Sequence, residues 1–458
     1  MPNNPLRLLL CSFGVLLSGC TAVGKIENAP LKPDQTIQIE NNTLFSAARN
    51  LDDKGLTLML TFSGGGTRAS ALAYGVMEEL RDTSIIVNGE NKRMLDEVDF
   101  ISSVSGGSFT AAYYGLHREK LFTDFKKDML TRSLSSQILH TVFNPFMWFS
   151  SSGRTDYAAE VFAEAGFGDA TFADMFAKGD PVIAINATDL SKGIRFTFLQ
   201  DYFNLLCSDL SSFPVSRAVT ASAAVPVLFD PVVIENYSGC DPSGMNQYLQ
   251  SRAAEGSMTL LDSANAALSY SDKSSRPFIH LVDGGIADNL GLRTLIDTVE
   301  FAGGMKNYLE MAHQGKSFNS AKHFIIIVVN ASVKADTDID TKTSPPSITQ
   351  TINAVTDAQL HLYNNETLDL AQSLLDDWSI QMSTPERPVK GHLILVDLKS
   401  IKQPALAKHV NHIPTTLGLE EKEVNLLIEL GRNLLRNNEE FISLKKDLTI
   451  SPSSMQGN

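Results

Sequence analysis

Basic charge is the scarcer kind in this chain. Its 458 residues carry 38 Lys and Arg against 52 Asp and Glu, a net charge of −14. Nucleic-acid binding needs clustered Lys and Arg to neutralise phosphates, so that function class is excluded. Docking on anionic lipid by charge alone is excluded for the same reason. No HExxH and no paired-cysteine spacing suggests zinc. The acidic stretch "DTDIDTKT" (336–343) lacks the glycine and closing Glu of a calcium loop and reads as solvated. The apolar run "LLLCSFGVLL" near the start is too short to span a bilayer as a mature helix.

What is present fits a globular protein with a substantial core: 43% hydrophobic and 20% charged residues. "LTLMLTFS" (56–63) reads as a buried strand. "GGGTR" interrupts it, and Ala69, Leu72, Ala73, Val76 and Leu80 then follow at helical spacing. A second unit repeats the plan: strand "EVDFISSV" (97–104), turn Ser105-Gly106-Gly107, helix "SFTAAYYGLHREKL". Further core strands are expected in 181–190, 277–285, 323–332 and 392–398, and a helix over 420–438. Strands alternating with helices predict an α/β fold, a mainly parallel sheet covered on both faces. Residues 333–350 read as an exposed loop and the chain from 445 as a frayed tail.

The second turn carries the first chemical signal. A sharp strand-to-helix turn lifts a serine hydroxyl above the sheet edge, at a helix N-terminus that favours developing negative charge. It requires small residues two before and two after the serine. Ser103 and Gly107 meet that need around Ser105, although G-x-S-x-G here becomes S-x-S-G-G. Acyl transfer through serine also needs donors for an oxyanion. Gly64, Gly65 and Gly66 supply consecutive flexible amides, and Arg68 could add positive charge. The same glycines could instead cradle a phosphate, with Ala69 in the third position of a G-x-G-x-x-G/A pattern. Asp283 in "VDGGIADNLG" ends a strand at a glycine turn, where a carboxylate could accept the serine proton or cap the turn.

"SGGGTR", "SVSGG" and "DGG", in this order, resemble the patatin-like phospholipase family, which includes the cytosolic phospholipases of animals. "VTASAAVPVLFDPV" (219–232) resembles its Ala-Ser-rich segment, and the likeness covers roughly 55–300. The resemblance implies a three-layer α/β/α sandwich with a mainly parallel central sheet. It implies an acyl hydrolase using a Ser–Asp dyad and no metal or organic cofactor. Ser105 would be the nucleophile, Asp283 its base, and Gly64, Gly65, Gly66 and Arg68 the oxyanion site. Ser63 stands where patatins usually carry Asp, as in the cytosolic branch. Two alternatives stay open. One is a Ser–His–Asp α/β-hydrolase esterase, its base a distant His313, His361 or His409. The other is a lipoprotein that binds lipid or a partner without turnover. His280, three residues before Asp283, should face the opposite side of its strand and pack there. His117, twelve residues past Ser105, would lie ~18 Å along the helix. The aromatic cluster around Trp148 reads as core packing, or else as a membrane-facing lip or acyl-pocket wall.

Arg7 and the apolar run have the form of a secretory signal. It ends in Leu17-Ser18-Gly19-Cys20, which resembles the lipobox of bacterial lipoproteins, whose cysteine is lipidated. Thr21, in place of Asp, then implies the outer membrane of the cell envelope. The expected organisation is a signal over 1–19, a tether over 20–50 and a catalytic domain over 51–330. Residues 331–440 would complete or pack on that domain, with a tail over 441–458. Membrane lipids would be both anchor and substrate. Cys207 and Cys240 remain after Cys11 and Cys20 are accounted for, and could form a disulfide or stay free.

Overall fold

Leu56–Phe62 and Val98–Val104, largely apolar and β-branched or small and free of proline, become strands buried along their whole length. A computed structural model of the chain describes residues 24–32, 55–132, 134, 153–226, 228–241, 243–254, 256–314, 321–333, 338–341 and 343–449. Its main sheet contains β1 (Leu56–Phe62), β2 (Val98–Val104), β3 (Val182–Asp189), β4 (Ile194–Phe198), β5 (Val232–Glu235), β6 (Phe278–Asp283), β7 (His323–Asn330) and β8 (Lys390–Asp397). The order is β8-β7-β1-β2-β3-β6-β5, with β4 also paired to β3. From β8 to β3 all pairings are parallel, whereas β4, β5 and β6 join by antiparallel pairing.

One detail of register brings the chemistry together. Val104, the last residue of β2, pairs with Asn186 of β3, and Asp283, the last residue of β6, pairs with the next residue, Ala187. The other edge of β3 is taken by β4, through Asn186 with Thr197 and Ala187 with Phe196. β2 and β6 therefore share one edge of β3 and run toward each other tip to tip. The turns leaving them must meet.

The main helices are α1 (Gly66–Asp82), α2 (Gly106–His117), α3 (Val215–Ser222), α4 (Met258–Ser269), α5 (Arg293–Ala302), α6 (Ile348–Met382), α7 (Glu421–Arg436) and α8 (Glu439–Thr449). Alternate strand residues sort them into two layers. Leu58, Leu60, Phe62, Ile325 and Ile327 pack with α1 and α7 residues in one core. Met59, Phe324, Ile326 and Val328 pack with α5 and α6 residues in the other. This is the three-layer α/β/α sandwich. α1 and α7 cross backbone to backbone: a side chain at Gly75 would collide with the Ile428 carbonyl, and one at Gly431 with the Leu72 carbonyl.

Several expectations are corrected. Residues 24–32, placed in the tether, lie on the body. Ala29–Pro30 pairs with Ser208–Asp209, Asn28 donates to the Glu235 carbonyl at 2.8 Å, and Glu27 pairs with Arg217. Residues 441–449 are no tail, because α8 runs to Thr449 and buries Phe441, Leu444 and Leu448. The 333–350 loop ends early at the start of α6 and contains a short helical turn, Asp338–Thr341. One open alternative is resolved and not corrected: Cys207 and Cys240 form a disulfide, with Cα atoms 5.4 Å apart. The signal sequence, Cys20 and the Trp148 cluster lie outside the described residues.

Candidate active site

β2 ends in a turn that only small residues can make. Ser105 has φ 49° and ψ −119°, a conformation L-residues rarely adopt. Such strain persists where surrounding structure enforces it, and here the clamps are visible. The Ser105 amide donates to Ser222 Oγ at 2.8 Å, and Ser222 Oγ–H donates to the Asn186 carbonyl at 2.6 Å. A side chain at Gly106 would collide with the Gly66 carbonyl, and one at Gly107 would sit 2.6 Å from Phe62 Cβ. The two glycines after the serine thus allow the first glycine turn to lie directly against the second.

From the opposite side β6 delivers Asp283. Its Oδ2 accepts a hydrogen bond from Ser105 Oγ at 2.8 Å, and its Oδ1 accepts one from the Gly285 amide at 2.7 Å. Its backbone is fixed as well, by Asp283 N–H to the Ala224 carbonyl and Thr188 Oγ–H to the Asp283 carbonyl. Ser105 is 8% exposed and Asp283 9%. Burial pushes the Asp283 carboxyl up to about 6, against the two hydrogen bonds that favour its charged form. A carboxylate that ionises near neutrality is matched to proton transfer at neutral pH.

The donors around the serine are fewer than the sequence suggests. Gly64 spends its amide on the Asn289 carbonyl at 3.0 Å. Arg68 commits three of its five N–H donors, to the carbonyls of Ala331 and Ile413 and to Thr415 Oγ1. It pins residues 413–415 onto the glycine turn. Burial lowers its pKa to about 10, so it stays charged at neutral pH beside Gly65. The amides of Gly65, Gly66 and Gly106 have no acceptor among the described hydrogen bonds. Gly106 immediately follows the serine. Beside Gly66 and Ser70, an apolar slot is walled by Phe109, Met129, Leu134, Phe162 and Leu417. Its free space is about 10 Å³, barely room for one water.

Among the described residues no histidine bonds Ser105 or Asp283. His117 contacts the Gly166 carbonyl, His313 the Leu309 carbonyl and His361 Lys399, while His409 is exposed on the helix Pro404–Asn411. His280 does not pack; it is exposed on β6. No group of His, Cys, Asp and Glu able to hold a metal occurs among the described residues. Sequence reasoning missed Ser222 and Asn186. Asn186 is a fully buried amide in an apolar strand, and it ties Ser102, Ser103, Thr197 and Thr294 together. A lone Asn inside "VIAINATD" was the available signal.

A strained serine at a strand-to-helix turn, facing a buried carboxylate within an α/β/α sandwich, defines a class: α/β proteins built like serine hydrolases. The chain belongs to the patatin-like phospholipase family, whose model matches residues 60–296. The family is described as one of phospholipases, enzymes that cleave lipid acyl esters. No curated protein matches it. Among solved structures it is similar to human GIVD cytosolic phospholipase A2 (TM-score 0.44, 11% identity, 93% of this chain and 66% of that one). The same enzyme in complex with methyl gamma-linolenyl fluorophosphonate gives a TM-score of 0.39 at 13% identity, over 88% of this chain and 61% of that one. VipD from Legionella pneumophila gives 0.28 at 10% identity, over 92% and 73%.

Proposed function

We propose that this chain hydrolyses acyl ester bonds of phospholipids or lysophospholipids with Ser105 and Asp283 alone. The observation that carries the reading is the 2.8 Å hydrogen bond from the strained Ser105 hydroxyl to Asp283. Ser105 Oγ attacks the ester carbonyl carbon as Asp283 Oδ2 takes its proton. The carbonyl oxygen, now an alkoxide, is received by the free amides of Gly65, Gly66 and Gly106. The intermediate collapses, and the protonated Asp283 returns its proton to the departing alcohol oxygen. Water, deprotonated by Asp283, then attacks the acyl-enzyme; as that second intermediate collapses, Asp283 returns the proton to the departing Ser105 Oγ and the fatty acid leaves. The proton count closes on each half-reaction with one carboxyl group. The apolar slot beside Gly66 supports an acyl chain as the group nearest the serine, provided its walls part.

The base must be ionised to act. Its carboxyl titrates near 6, so kcat/KM on phospholipid vesicles should rise about tenfold per pH step below 6 and level off above it. A profile flat from pH 4.5 to 8 would remove Asp283 from the role of base. A profile governed by a group near 6.5 that vanishes with one histidine would restore the triad.

We also propose that Cys20 carries lipid and holds the enzyme on the outer membrane, beside its substrate. The sequence Leu17-Ser18-Gly19-Cys20 supports this, and the Cys207–Cys240 bridge fits an oxidising compartment. Acyl chains contribute roughly 0.8 kcal/mol per buried CH₂. Cys20→Ser should therefore move the protein from the membrane to the soluble fraction and abolish labelling by a clickable palmitate. A membrane-bound, unlabelled variant would contradict the anchor.

A further inference from the structure

Away from the serine, a solvent-open cavity of about 410 Å³ lies between the β3–β4 hairpin, α4 and α5. It shares no lining residue with the slot at Gly66. Arg293, Arg195 and Asp297 form its buried wall, at 8%, 8% and 5% exposure.

Arg293 is the unusual member. Its guanidinium lies over the Tyr363 ring at 5.4 Å, and its backbone N–H donates to Asp288. The guanidinium itself has no hydrogen-bond or ion-pair partner among the described residues, and its Nε is fully buried. A buried arginine without an acceptor is costly, because desolvation is not repaid. Arg195 reaches Asp297 Oδ2 at 2.9 Å but leaves its own Nε unpaired, and Asp297 leaves Oδ1 unpaired. The wall therefore holds two orphaned cationic donors and one orphaned acceptor. At the rim, exposed Lys192 and Asp262 add one charge of each sign, so the anion-binding character rests on the two buried arginines. The donors suit an anion's oxygens, and Arg forks match phosphate geometry. The lone acceptor suits a hydroxyl on the same molecule.

We propose that this cavity binds a small phosphate ester carrying a free hydroxyl, of the glycerol phosphate class. The ester could be free in solution or be the headgroup of an acidic phospholipid. The phosphate sits against Arg293 and Arg195, and the hydroxyl donates to Asp297 Oδ1. The cavity also reaches Ala287, whose amide donates to Thr188 Oγ1, the hydroxyl that bonds the Asp283 carbonyl. A bound ester would thus touch the turn that carries the catalytic carboxylate. The binding does not depend on turnover, so it stands or falls apart from the assignment of Ser105.

Titration calorimetry of the purified chain with sn-glycerol 3-phosphate tests it, alongside sedimentation with phosphatidylglycerol vesicles and phosphatidylcholine vesicles. Glycerol phosphate should bind at sub-millimolar concentration and glycerol should not. Arg293→Gln should weaken binding at least tenfold, and Ser105→Ala should leave it unchanged. Asn265→Trp, at an exposed position of α4 on the cavity wall, should block the cavity without disturbing the buried cluster, so it decides the matter if Arg293→Gln fails to fold. A response confined to phosphatidylglycerol, lost in the same variants, assigns the site to the lipid headgroup; one in calorimetry assigns it to the free ester. Equal binding by wild type and Asn265→Trp, or no binding in either arm, overturns the proposal.

Discussion

Ser105→Ala is expected to abolish both phospholipid hydrolysis and covalent labelling by a fluorophosphonate probe, while the protein stays folded. The loss should be on the order of 10⁴-fold or more, because removing the nucleophile leaves only the oxyanion donors and binding to act. Folding should survive. Ser105 makes its stabilising bond to Ser222 through the backbone amide, and alanine keeps that amide. The positive φ of 49° disfavours alanine and serine alike, so strain does not separate the variants. Labelling of the alanine variant at the wild-type rate would place the nucleophile elsewhere.

Asp283→Asn is expected to lose a comparable factor, roughly 10⁴, and at the same time to stabilise the protein. The sign follows from linkage. An unfolded aspartate ionises near 3.8, whereas buried Asp283 does so at about 6. The folded state therefore holds the proton more tightly than the unfolded one. Stability from this group is full below about pH 4, is lost as pH rises through 6, and stays lost above. Keeping the carboxylate charged at neutral pH costs about 3 kcal/mol, since each tenfold in acidity is ~1.4 kcal/mol. Asparagine removes that cost but satisfies the Ser105 hydroxyl and the Gly285 amide less well, which returns about 1 kcal/mol. The melting temperature at pH 7.5 should rise by a few degrees, and the gain should shrink toward pH 4.5. An inactive variant that melts lower at pH 7.5 would contradict the raised ionisation of Asp283.

Those two residues were legible because each ends a strand at a glycine turn, and strands buried on both faces leave unbroken apolar runs such as "FIIIVVN". The core strands were readable on the same grounds, and the helix Glu421–Arg436 by the helical spacing of Val424, Leu427, Ile428 and Leu435. What brings the turns together was not. The tip-to-tip meeting of β2 and β6 depends on β6 being antiparallel to β3, and an apolar run carries no direction. Arg68 could be seen as a charge near the glycines, yet its acceptors Ile413 and Thr415 lie about 345 residues away in the chain. α6 escaped notice because much of its surface is exposed, including Ile348, Val355, Leu362 and Ile380, so it lacks a clean apolar stripe. Its start was marked all the same: Ser347 and Gln350 form a capping box. In α8, Phe441, Leu444 and Leu448 recur at helical spacing, and a tail reading overlooked them.

The central claim is that one carboxylate, with no imidazole, activates the serine. The rate of fluorophosphonate adduct formation, followed by intact mass, should be measured for Asp283→Asn and for single alanine replacements of all nine histidines. The account predicts near-complete loss in Asp283→Asn and rates within a few-fold of wild type in every histidine variant. A folded histidine variant that fails to label, or an Asp283→Asn protein that labels normally, would contradict it.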